Sequence, residues 1–97
     1  MPKIMDNIIT NEKLNKYFSI TKKALDKAKV AINSEEKEKA EDFLEMATRY
    51  YDDAQFFRKK GDIVNAFAAV NYSHGWLDAG ARIGLFKVKD NYLFTVD

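Results

Sequence analysis

Apolar residues recur along this chain at spacings of three and four over three long stretches, and at about 100° per residue each stretch gathers onto one face of a helix. In the first, Leu14, Tyr17, Phe18, Thr21, Leu25, Ala28 and Ile32 share a face while lysines fill much of the rest. Thr10 or Asn11 stands where an N-cap belongs, and the pattern predicts a helix over about 11–32. The second stretch opens at Asn33-Ser34-Glu35-Glu36, a short polar cap followed by acids that suit the positive end of a helix, with Glu36 placed to close a capping box. Its stripe is Ala40, Phe43, Leu44, Ala47, Tyr50, Tyr51, Ala54 and Phe57, and Arg58-Lys59-Lys60-Gly61 supplies cations and a left-handed glycine for its end. A helix over about 35–60 follows, and Asp62 caps a third over about 63–84. So short a link makes the second and third helices antiparallel neighbours.

The third helix carries two apolar stripes. Ile63, Ala66, Phe67, Val70, His74, Leu77 and Ala81 form one, and Tyr72, Trp76, Ala79 and Ile83 form another on nearly the opposite side. That leaves too little polar surface for the outside of a monomer. Between them Ala66, Ala69, Ser73, Gly80 and Gly84 form a row along which another backbone can approach. A glycine inside a helix costs roughly 1 kcal/mol against alanine, so Gly75 and Gly80 mark close packing or a ligand. After Gly84, alternation on both sides of Asp90-Asn91 up to Val96 predicts an extended or hairpin tail over 85–97. A lone hairpin is marginal in water, so it must lie on the helices, where it competes with a partner for the second stripe. Residues 1–9 hold Ile4, Met5, Ile8 and Ile9 off the first stripe, as a separate turn or an adhering arm. The expectation is all-α: one domain over 1–97, a three-helix up-and-down antiparallel bundle with a short tail.

Composition narrows the chemistry. The chain has 97 residues, no Cys and one His, which excludes disulfides, thiolate or multi-histidine metal sites and a thiol nucleophile, and fits a reducing cytoplasm. No apolar run approaches the roughly 18 residues of a membrane span. With seven Phe, five Tyr and one Trp, not every ring fits inside one core, so some face a partner, a ligand or the tail. Net charge is +1, yet residues 1–33 hold seven lysines against Asp6, Glu12 and Asp26, whereas residues 34–62 hold nine acids against six bases. Lys16, Lys23 and Lys27 line one outward stripe, which offers phosphate contacts with Tyr72 or Trp76 as base-stacking rings. A solvated lysine face is the plainer account of them.

The best polar constellation is Asn71, His74, Asp78 and Arg82, three and four apart on one flank of the third helix. Asp78 sits one turn from His74 and could orient its imidazole for proton transfer. The simpler reading is an ordinary Asp78–Arg82 pair and a histidine satisfied at the edge of the core. Ser73 cannot serve His74 as a nucleophile, because adjacent helical residues do not face each other. Glu41, Glu45, Asp52 and Asp53 alternate with Lys37, Lys39 and Arg49 as a salt-bridged solvated face. There is neither a Glu-x-x-His motif nor a glycine-rich phosphate loop, so no metal and no cofactor is expected.

The string Tyr50-Tyr51-Asp52-Asp53-Ala54, Phe57, Gly61-Asp62, Ala66-Phe67-Ala68-Ala69-Val70, Tyr72, His74-Gly75-Trp76-Leu77-Asp78-Ala79-Gly80 and Gly84-Leu85-Phe86 resembles a family of small archaeal proteins, domain of unknown function 357. The likeness covers about half the chain, from Ala40 to Phe86. It implies a three-helix up-and-down bundle and an archaeal cytoplasmic source, and carries over no catalytic or binding residue. The residues themselves favour a non-catalytic interaction module whose partner is itself or another protein, through Tyr72, Trp76, Ile83 and Phe56, types found at interface centres. The alternative is nucleic-acid binding through the lysine stripe.

Overall fold

The structure, a computed structural model, describes residues 7–95. It contains helices α1 (Asn11–Lys29), α2 (Lys37–Lys59) and α3 (Ile63–Arg82), with a 3-10 turn, Ser34–Glu36, before α2. Thr10 caps α1 by accepting from the Lys13 amide at 3.1 Å. The helix stops three residues before its apolar stripe does, because Ile32 leaves it to form one antiparallel bridge with Phe86. Around that bridge Lys87 N donates to Ala31 O at 2.7 Å and Asn33 N to Leu85 O at 2.9 Å. Asn33 Oδ1 accepts from Glu35 N and starts the 3-10 turn. The expected capping box is absent: Glu36, at the N-cap of α2, makes no side-chain cap bond. At the other end of α2, Gly61 takes φ +78° and Asp62 Oδ1 accepts from Asn65 N at 3.2 Å, which turns the chain sharply into α3.

The fold is an all-α three-helix bundle in which α3 is the common partner of the other two. Ala40, Ala47 and Ala54 of α2 are fully buried, and Ser73 Oγ donates to Ala47 O at 2.6 Å, so the small-residue row of α3 seats α2. Tyr17 of α1 meets Phe67 of α3 edge-on at 5.1 Å, and Phe18 meets Tyr51 of α2 at 5.6 Å. The Cα envelope measures 50 × 35 × 15 Å. In so flat a body few positions are enclosed on every side, which leaves broad helix faces uncovered.

The tail is not a hairpin. After the single bridge it runs along the helices to a turn in which Asp90 Oδ1 accepts from Tyr92 N at 2.9 Å and Leu93 N at 3.2 Å, and Phe94 N donates to Asp90 O at 3.0 Å. Leu85, Phe86, Leu93 and Phe94 are all buried. Phe86 explains Gly80, since a Cβ at that position would overlap its ring. Ile9 packs against the core and Ile8 is exposed, while Ile4, Met5 and Val96 lie outside the described residues.

Candidate functional site

Helix α3 presents two flanks of different chemistry. On the polar flank His74 Nε2 lies 2.8 Å from Leu93 O. A carbonyl only accepts, so Nε2 donates to it, and Nδ1 is hydrogen-bonded to Thr21 Oγ1 at 3.0 Å. Asp78 accepts from Thr95 N at 3.0 Å and stands 3.6 Å from His74 Nε2. Both ring nitrogens are therefore spent on protein groups, and the carboxylate holds the tail. Asn71 and Arg82 are exposed beside them. This arrangement fastens residues 93–95, and a cleft of about 250 Å³ opens beside it between Tyr17, Ile20, Asn71, His74, Gly75 and Asp78. Among the described residues no three His, Asp or Glu converge to hold a metal ion.

Three residues of this clamp were not singled out by sequence. Thr21, only 1% exposed, signals itself as a polar residue on an apolar stripe. Asn33 Nδ2 donates to Gly84 O at 2.9 Å, and Asp90 receives Lys27 Nζ at 3.1 Å, neither with a local motif. The Lys27 hydrogen bond, then the Tyr92 amide, hold the Asp90 carboxyl below its ordinary value of 3.8. A depressed carboxylate contributes its stability above the unfolded value and loses it as pH falls through the folded one. Acidification below 3.8 should therefore free the Tyr92 and Leu93 amides. Hydrogen exchange should show their protection falling before that of α3, and Asp90→Ala should reproduce the loss at neutral pH.

The opposite flank is aromatic. Trp76 meets Phe43 edge-on at 5.0 Å, and Tyr72 meets Tyr50 at 4.4 Å. Two shallow grooves open there, one of about 410 Å³ between Phe43, Tyr72, Gly75, Trp76 and Ala79, the other of about 350 Å³ between Tyr50, Phe57, Ala68 and Tyr72. Tyr72 separates them and is 52% exposed; Val64 and Ile83 are more so. The indole N–H of Trp76 is buried without an acceptor among the described residues. Phe56 lines neither groove: it is exposed near the end of α2 with Lys60 over its ring at 4.7 Å.

None of residues 85–95 lines either groove: Phe86 packs over Gly80, and Leu93 and Thr95 bond to His74 and Asp78. Lys16, Lys23 and Lys27 are exposed on α1, with Lys27 bound to Asp90. Helix α3 meets α1 through Phe67 and His74 and meets α2 through Tyr72 and Trp76. The structure thus does not bring the lysine stripe and the stacking candidates together.

No described helix is long and apolar enough to cross a membrane. Comparison with curated proteins and with solved structures finds no match. The model of a family described as "Protein of unknown function (DUF357)" matches residues 16–86, which take in most of α1, all of α2 and α3 and both sides of the Ile32–Phe86 bridge, and the chain belongs to that family.

Proposed function

We propose that this chain is a soluble cytoplasmic protein-interaction module without catalytic chemistry of its own, and that the aromatic flank shared by α2 and α3 is its docking surface. The observation that carries this reading is Tyr72, half exposed between two apolar grooves on a flank that residues 85–95 leave open. Tyrosine and tryptophan supply large contact area at small cost in side-chain entropy, which suits them to the centre of an interface. The polar flank supports the non-catalytic half, because its histidine is committed at both nitrogens.

A photo-crosslinking amino acid in place of Tyr72, irradiated in the source cells, should yield a discrete protein adduct. The same group in place of Lys23 on α1 should not. Absence of a protein adduct at position 72 would sink the reading. A nucleic-acid adduct at position 23 would revive the lysine stripe in its stead.

A further inference from the structure

Three of the four glycines have a cause inside the chain. Gly61 and Gly84 take positive φ, and Gly80 makes room for Phe86. Gly75 has neither: its φ is not positive, and a Cβ there would meet nothing within 4 Å. It sits in the interior of α3, where glycine costs roughly 1 kcal/mol against alanine. Among the described residues that cost returns nothing.

The residues around it form a pattern. Val64, Ala68, Tyr72, Gly75 and Ala79 of α3 and Ile83 at its C-cap are all exposed, and their separations of four, four, three, four and four read the same in both directions. A two-fold axis requires such a pattern, because residue i must meet j while j meets i. An axis passing between residues 73 and 74, with two α3 helices antiparallel, sets Tyr72 opposite Gly75, Ala68 opposite Ala79 and Val64 near Ile83. The largest side chain of the row then faces the position that has none, and the two alanines let the backbones approach. Charge agrees with size. Arg82 stands at the edge that this face shares with the polar flank, and the same axis brings it to Asn65 of the other copy, which is bonded to the Asp62 carboxylate.

We propose that the occupant of this face is a second copy of the chain, docked α3 against α3 antiparallel with each Tyr72 seated over the other copy's Gly75. The proposal rests on the reading of this flank as a protein-docking surface and adds the partner and its register.

Light scattering of the purified chain over a range of concentrations should give a dimer. Gly75→Leu should raise the dimer dissociation constant roughly 100-fold, the scale of an interface hot spot. Within one copy the leucine enters open space and improves the helix, so thermal stability measured on the monomer should not fall and misfolding cannot account for the loss. Register is tested separately, because the chain has no cysteine of its own. Ala68→Cys and Ala79→Cys, mixed and oxidised, should form a mixed disulfide, and neither variant should cross-link alone. A wild-type monomer at every concentration, a Gly75→Leu dimer of unchanged affinity, or efficient disulfides within either single variant would each overturn the proposal. Self-docking and the broader reading fail separately: a monomer whose position 72 still captures a different protein loses only the first, and a monomer with no protein adduct loses both.

Discussion

Phe86→Ala is expected to remove about 3–5 kcal/mol of stability, the usual loss for a fully buried phenylalanine. Phe86 is 1% exposed, sits over Gly80 and forms the one bridge to Ile32, so its removal opens a cavity and loosens the tail together. Domains of this size hold only about 5–15 kcal/mol in all, which places the variant close to unfolding at room temperature. A second substitution sharpens the test. Gly80→Ala alone should destabilise by about 1–3 kcal/mol, because its methyl group displaces the ring. In the Phe86→Ala background the same change should stabilise by up to about 1 kcal/mol, since only the gain in helix propensity remains. Urea denaturation of the four proteins measures this reversal of sign. A Gly80→Ala variant as stable as the parent would show that the ring does not occupy that site in solution.

His74→Ala should rank next. It leaves Leu93 O and Thr21 Oγ1 without their partner, and each orphaned buried group costs about 1–3 kcal/mol. A midpoint of thermal unfolding lower by roughly 10–20 °C is expected for a chain of this length. Adding Thr21→Val should recover part of the loss, because it deletes the stranded hydroxyl rather than leaving it buried. Partial rescue by removal is a signature of structural pairing that a purely catalytic role for His74 would not produce. Unchanged stability in His74→Ala would mean that the clamp on residues 93–95 does not form.

The helices were legible because their determinants are local. Stripes spaced three and four, Thr10 and Asp62 as caps and Gly61 as a left-handed terminator each act within a turn or two of the chain. The errors share the opposite cause. Ile32 fits the helical stripe, yet pairing with Phe86, far along the chain, pulls it out of α1. Alternation around Asp90-Asn91 reads as a hairpin, but the Asp90 carboxylate satisfies the Tyr92 and Leu93 amides that a second strand would have paired. Which stripe of α3 the tail covers depends on His74, held on its other side by Thr21, and on Asp78, whose bonds to it carry no local signature. Of the rings that line the two grooves, the sequence names Tyr72 and Trp76 as interaction candidates but not Phe43 or Tyr50, since rings on a core stripe are indistinguishable from core until the packing of two helices is known; Ile83 lines neither groove. Phe56 was chosen for its type, and its place on α2 sets it apart from both grooves.

The tail's route has a consequence for how the chain is made. Leu85, Phe86, Leu93 and Phe94 belong to the core, yet they leave the ribosome after all three helices. A nascent chain with α1, α2 and α3 already out still lacks the cover for the groove beside Gly80 and His74. For that interval it resembles a collapsed intermediate with apolar surface showing, the kind of species that aggregates or engages a chaperone. Docking of residues 85–94 is then the step that commits the molecule, and slow synthesis of that short segment would lengthen the exposure.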